Sequence, residues 1–230
     1  MVDFTKDSIF FGLMLSLGAY GIGILLKKKL KLAIFNPLLV AAVLIVAFLS
    51  VAKIDYETFN NGAKYISYLL TPATVALAIP LYRQFHLLKK NAAALMIGIA
   101  SGVLSSFLSI MAIAILFQFS HDEYVTFLPK SITTAIGMGI SEELGGYVSI
   151  TAASIIVTGI LGNIIAEFVF RLFKIHEPIA KGIALGSSSH AIGTAKAMEL
   201  GETEGAMSSL AIILSGILTV LGVMIFANII

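Results

Sequence analysis

The chain has 230 residues, 58% of them hydrophobic and only 12% charged, with 15 basic and 13 acidic side chains and a net charge of +2. Mean hydropathy is +1.00. So few charges cannot clothe a soluble domain, and disorder needs the opposite composition, so an all-α polytopic membrane protein remains. A β-barrel would read as short alternating strands rather than long apolar runs. The chain has no Cys, which excludes disulfides, thiolate catalysis and Cys-based metal sites. It has no Trp, so an interfacial aromatic belt must come from Tyr and Phe.

Eight apolar segments follow in order: Ser8–Leu26, Asn36–Val51, Tyr65–Leu81, Ala92–Phe119, Phe127–Leu144, Val148–Phe173, Ile179–Met198 and Ala206–Ile230. The first is read as a retained helix rather than a cleaved signal. Asp3 and Asp7 precede it, its basic cluster comes after it, and no small-x-small cleavage site follows. Its 19 residues span about 28 Å, enough for a bilayer core. The connections are short, so residues 1–230 read as one membrane domain lying in the lipid bilayer.

Lys and Arg mark the cytoplasmic loops. Lys27, Lys28, Lys29 and Lys31 follow segment 1; Arg83, Lys89 and Lys90 follow segment 3; Arg171, Lys174 and Lys181 follow segment 6. The basic run at Lys27 directly abuts an apolar run, so it is no nucleic-acid tract. Loops holding His121, Asp122 and Glu123, and Glu199, Glu202 and Glu204, are assigned outside. Segment 5 then starts outside while segment 6 must end inside. Segment 5 is therefore expected to be re-entrant, the alternative being a full crossing that puts the C-terminus outside. Its Pro129, its hydroxyl residues, Gly137 and Gly139, with Gly145 and Gly146 just after it, make a poor lipid-facing helix.

A shift of 114 residues lays the two halves of the chain over one another. Ser101-Gly102-Val103-Leu104 falls on Ser215-Gly216-Ile217-Leu218, and Leu70–Leu77 falls on Ala184–Ala191. This predicts two repeats, about 1–115 and 116–230. By the loop charges segments 3 and 7, and 4 and 8, cross in opposite directions. The repeats are thus inverted, with broken or re-entrant helices that in secondary transporters meet near the midplane. Free helix N-termini there suit an anion.

Three polar clusters interrupt the apolar segments. Thr71, Pro72 and Thr74 are candidate substrate-binding residues, or else a packed kink. Ser131, Thr133 and Thr134, with the acids Glu142 and Glu143, line a candidate substrate or proton path, or else an interfacial loop with solvated carboxylates. Ser187, Ser188, Ser189, His190 and Thr194 crowd the middle of segment 7. His190 is a candidate proton carrier or second donor, or else a packed core histidine. Glu167 is expected to pair with Arg171 at i+4, and Lys196 either meets a carboxylate or snorkels. The pairs Gly98/Gly102 and Gly182/Gly186 permit close helix packing.

No phosphate loop, Gly-x-Ser-x-Gly elbow or His-Glu-x-x-His motif is present, so no enzyme, catalytic residue or cofactor is expected. The four His are scattered, which predicts no metal site.

At the polar clusters the sequence resembles the LrgB/CidB family of bacterial membrane proteins. The resemblance lies in Thr71-Pro-Ala-Thr-Val-Ala-Leu-Ala-Ile-Pro-Leu-Tyr82, in Leu128-Pro-Lys-Ser-Ile-Thr-Thr134 running to Glu143-Leu-Gly-Gly146, and in Ile179–Ala195 with its Gly-Ser-Ser-Ser-His core. Many members have Pro where this chain has Ala135. The Ser-His-Ala-x-Gly-Thr-Ala and Glu-Leu-Gly-Gly forms look nearer the CidB branch. The resemblance implies a multi-pass protein of the bacterial cytoplasmic membrane. It implies two functions: a secondary transporter of small monocarboxylates such as pyruvate, glycolate or lactate, or a non-transporting antiholin-like or holin-like regulator of murein hydrolases and autolysis. The regulator would act with a small LrgA/CidA-type membrane partner. A homo-oligomer, as a dimer, is also expected, with no nucleic-acid partner.

Overall fold

The computed structural model describes residues 8, 10–30, 32 and 35–230. Asp3, Asp7 and Lys31, which entered the reading of the N-terminal segment, lie outside them. The described residues are helical, without a strand. Five stretches are long and apolar enough to cross a membrane: Phe10–Leu30, Tyr56–Arg83, Ala92–Phe117, Val148–Leu172 and Glu202–Phe226, with the shorter apolar helix Pro37–Ala52 beside them. The chain divides into two compact units, Met1–Ala76 and Leu77–Ile230.

The first unit holds α1 (Phe10–Leu30), α2 (Pro37–Ala52), α3 (Tyr56–Ser67) and α4 (Leu70–Ala76). Asn36 starts α2: its side chain accepts from the Leu38 and Leu39 amides at 2.9 and 3.4 Å, and Pro37 fills the first helical position. Close backbone contact holds the unit together. A side chain at Gly12 would strike the Phe59 carbonyl, and one at Gly23 the backbone of Pro37. This small-residue contact is what a membrane interior rewards, because lipid is as apolar as leucine.

The second unit contains α5 (Ala78–Arg83), α6 (Phe85–Lys90), α7 (Ala92–Phe117), α8 (His121–Phe127), α9 (Thr134–Glu143), α10 (Val148–Leu172), α11 (Pro178–Leu200) and α12 (Glu202–Phe226). Helix α8 opens with a capping box, Ser120 and Glu123 bonding each other's backbone amides. It descends only seven residues. The chain then turns through Pro129–Thr133 and returns as α9. The two limbs lie side by side: a Cβ on Gly137 would stand 3.4 Å from the Pro129 carbonyl, and Gly146 abuts both Thr126 and Ser141. Segment 5 is thus a re-entrant hairpin, as its loop charges and breakers predict. Its tip packs beside Ser106, which lies 14 residues after Ala92, about 21 Å along a helix of about 39 Å.

Segment 7 does not cross as expected. Helix α11 breaks at His190, where φ is 42° and ψ is −135°. Beyond the break the chain doubles back, so that a side chain at Gly193 would meet the Leu185 carbonyl and the Ser189 Cβ. Leu200 returns to share a pocket with Ile175 and Lys181. Glu202 faces Arg83 at 3.6 Å. The acidic loop placed outside therefore lies at the same end as Arg83, Arg171 and Lys181. Acidic residues orient membrane segments weakly, because the sidedness rule counts Lys and Arg. Segment 7 is a second re-entrant hairpin.

This changes the sense of the repeat. Helices α7 and α12 run parallel: Leu95 and Ile99 share a cluster with Met207 and Ala211, and Phe107 stacks on Phe226 with centroids 4.7 Å apart. The expected opposition of segments 4 and 8 is corrected. The inverted relation lies instead within the second unit. Residues 92–143 make a crossing helix followed by a hairpin. Residues 148–200 make the same arrangement upside down, their hairpin entering from the basic end. The C-terminus finishes beside the mouth of the first hairpin, the His121 ring 2.8 Å from the Ile230 carbonyl.

The absence of Cys offers a direct check. Single Cys residues at Lys174 and Glu202 are expected to react with an impermeant maleimide from the same side of the membrane, and one at Asp122 from the opposite side. Opposite labelling of positions 174 and 202 is the outcome that contradicts the second hairpin.

Candidate functional site

Re-entrant backbone is tolerated at membrane depth only if its polar groups find partners within the protein. Each hairpin meets this demand with hydroxyls and small residues. In the first, the Thr126 hydroxyl accepts from the Tyr147 amide at 2.8 Å. The buried Thr151 hydroxyl bonds the Thr126 carbonyl at 2.9 Å and the Ser141 hydroxyl at 2.7 Å. These bonds clamp the limbs of the hairpin to the start of α10.

In the second, the buried His190 side chain crosses to α10. Its Nε2–H donates to the Ile155 carbonyl at 2.9 Å. The Asn163 amide donates to the Ile192 carbonyl at 3.1 Å, just past the break. Thr194 bonds the His190 carbonyl at 3.1 Å and the Ser208 hydroxyl of α12 at 2.7 Å. Gly159 and Gly162 of α10 make room: a Cβ on the first would come 2.7 Å from the imidazole, and one on the second would strike Ser189. On the other side, Gly182 and Gly186 bring the first limb against the backbone of Glu204 and Ser208. The Gly182/Gly186 pair is thus a helix contact, as its spacing predicts.

Between α7 and the first limb of α11 runs a cavity of about 590 Å³. Asn91 and Glu177 line it at the basic end, and Ser101, Ser105 and Ser187 line it deeper. Gly98 and Gly102 face Ile183 and Ser187 across it, which keeps the two helices close. Next in sequence to Ser105, the Ser106 hydroxyl lies 3.0 Å from that of Ser131 at the tip of the first hairpin. The Lys130 ammonium stands 3.1 Å from the Ser131 hydroxyl and 3.4 Å from that of Ser106.

The residues picked from sequence divide accordingly. Ser131, Ser187, Ser189, His190 and Thr194 are buried in the second unit, at or near the hairpin tips. Thr133 and Thr134 stand half-buried at the start of α9. Ser188 is exposed, its hydroxyl donating to the Ala184 carbonyl at 2.7 Å. Glu142 and Glu143 are exposed in the last turn of α9. Thr71, Pro72 and Thr74 belong to the first unit, exposed on α4, with Thr74 bonded to the Leu70 carbonyl at 2.8 Å. The Glu167 carboxylate takes Lys196 at 2.6 Å, while Arg171 donates its Nε–H to the Glu167 main-chain carbonyl at 3.2 Å. Lys196 therefore meets a carboxylate rather than snorkelling, and it ties the returning limb to α10.

Sequence reading missed Ser101, Ser105 and Ser106. For Ser101 and Ser105 the signal was present, since serines four apart on one apolar helix share a face; Ser106 lies about 100° further round, toward the first hairpin.

Comparison with known proteins now bears on the family. The profile of the LrgB-like family matches residues 16–229. The chain belongs to the LrgB family. An antiholin-like protein LrgB from Bacillus subtilis (strain 168) is 39% identical over 224 residues, covering 97% of each chain. One of the same name from Bacillus cereus (strain B4264) is 39% identical over 218 residues, 94% of this chain and 95% of its own. These relatives carry the LrgB name, which lends no support to a CidB-branch assignment. No solved structure matches. The family is not an enzyme family.

If Gly162 seats the second hairpin of this LrgB-family protein, Gly162→Val should displace Ser189. Overpacking of this kind costs about 1–3 kcal/mol. Circular-dichroism melting in detergent should show a lower Tm for Gly162→Val. Gly139→Ala, with open space around it, should melt like the wild type.

Proposed function

We propose that this LrgB-family protein is a secondary transporter of small monocarboxylates in a bacterial cytoplasmic membrane. The observation that carries this reading is the pair of hairpins entering the second unit from opposite ends, with a serine-lined cavity beside one of them. In transporters, opposed broken elements of this kind surround a site that opens to either side in turn as one part of the fold rocks against the other.

The chemistry suits a small anion. Each hairpin tip starts a helical limb, at Thr134 and at Ala191, and the amides of a helix start carry partial positive charge. Ser105 in the cavity and Ser131, Thr133 and Thr134 at the first tip offer hydroxyl donors to a carboxylate oxygen, whereas Ser101 and Ser187 donate to the Gly98 and Ile183 carbonyls at 2.8 Å and would have to turn from them. His190 is the buried candidate for a proton site; Glu142 and Glu143 are the exposed ones. In this conformation the Nε2–H of His190 is engaged by Ile155, so proton exchange there requires the second hairpin to move.

The second reading is an antiholin-like regulator acting with a small LrgA/CidA-type partner; what favours it is the name that the Bacillus relatives carry. The names support this regulator more directly than they support transport. The two readings separate in one experiment. Purified protein in liposomes should take up labelled pyruvate or acetate saturably, and Ser105→Leu, which fills the cavity, should abolish uptake with little change in Tm. If monodisperse wild-type protein moves no C2–C3 acid above empty liposomes, the transporter reading fails and the regulator stands.

A further inference from the structure

The geometry points to Lys130 as the residue that selects an anion: its ammonium, at the tip of the first hairpin, is one half of an ion pair whose other half is a small carboxylate ligand. The inference rests on the transporter reading for its consequence, but not for its chemistry.

The argument begins with charge. An ammonium at membrane depth is costly unless it meets water or a counter-charge. Lys130 sits beside Ser106, about midway along α7, and is half-buried. Its hydrogen-bond partners are the hydroxyls of Ser106 and Ser131, which are neutral. Among the described residues no carboxylate pairs with it. The acids of its own hairpin lie away from the tip, Asp122 and Glu123 in the first turn of α8 and Glu142 and Glu143 at the far end of α9, about 15 Å of helix away. The contrast with Lys196 is instructive. That lysine enters the same unit at a hairpin limb and is met by two carboxylates, Glu167 at 2.6 Å and Glu199 at 3.4 Å. The fold supplies counter-charge to one hairpin lysine and leaves the other with hydroxyls alone.

Hydroxyls are the right neighbours for a cation that exchanges ligands. A serine hydroxyl can accept from the ammonium and turn its own proton toward a carboxylate oxygen. Ser106 and Ser131, 3.0 Å apart, thus form a cradle in which the ligand's charge meets Lys130 and its oxygens meet hydroxyls. Ser106 is adjacent in sequence to Ser105, which lines the cavity rising from the basic end. A permanent carboxylate at this place would neutralise the lysine and remove its hold on an anion.

The experiment uses acetate against acetamide, a neutral ligand of the same shape. Acetate, not acetamide, should raise the melting temperature of the wild type and saturate its uptake. Lys130→Gln should lose the acetate-dependent stabilisation and raise the KM for uptake at least tenfold. Lys130→Arg should keep both responses within a few fold. Lys130→Met serves if Lys130→Gln is not monodisperse. The double change Lys130→Gln with Ser106→Lys, which puts the charge back on the other side of the cradle, should recover part of the acetate response; a merely structural lysine would not be rescued so. An unchanged acetate response in Lys130→Gln, or equal responses to acetate and acetamide in the wild type, overturns the inference. Acetate-dependent melting lost in Lys130→Gln, in a protein that transports nothing, would overturn the transporter reading and leave the anion site standing.

Discussion

Backbone amides and carbonyls cannot be left bare inside a bilayer, and the second unit is organised around that constraint. Two hairpins turn back at membrane depth, and each turn exposes polar backbone that no regular helix satisfies. Side-chain hydroxyls, one imidazole and one amide complete the bonding. Thr126, Ser141 and Thr151 clamp the first hairpin, while His190, Asn163 and Thr194 clamp the second. Glycines then allow the approach that those bonds need. Gly159 and Gly162 on α10 and Gly182 and Gly186 on α11 are contacts where a side chain would collide. The polar clusters in an otherwise apolar sequence follow from this constraint before any ligand is considered.

The same constraint produces the features on which the proposed transport rests. Broken elements end where regular helices would run on, so helix starts and hydroxyls gather in the middle of the unit. Few charges are gathered with them. An anion held by hydroxyls and amides leaves more readily than one held by several cations, and a carrier must release what it binds. A single lysine on neutral partners fits between these extremes and, in the proposed role, would give charge selection without a closed salt bridge. The Lys196 pair answers a different need, since it fastens the returning limb of the second hairpin to α10.

Much of this was legible in the residues. Most apolar runs mark their helices within about four residues, although the third, read from Tyr65, begins at Tyr56, and the breakers of segment 5 announce a re-entrant turn. The hydroxyl-rich run at Ser187–His190 marks the second break correctly, but not its consequence. The error came from Glu199, Glu202 and Glu204, read as an outside loop although acidic residues carry little information on sidedness. A helix interrupted at one residue can continue or reverse. His190 reverses it because its left-handed backbone, the room at Gly159 and the Ile155 carbonyl act together. The last two are more than thirty residues away in sequence and invisible to any local pattern. The same holds for Glu167, whose local partner by spacing is Arg171 but whose carboxylate meets Lys196 from another helix.

The sequence by itself determined the class, the apolar segments, the places where helices break and the family. These are local or compositional properties, set by hydropathy, by Gly and Pro, and by short motifs. Only the tertiary structure decided the direction of the chain after each break, which helices run parallel, and which polar side chains share a cavity. Direction depends on partners brought from distant segments, and it decides whether Lys130 has a counter-charge. The chain has acids on both limbs of the same hairpin, yet the partners the fold brings to Lys130 are the hydroxyls of Ser106 and Ser131.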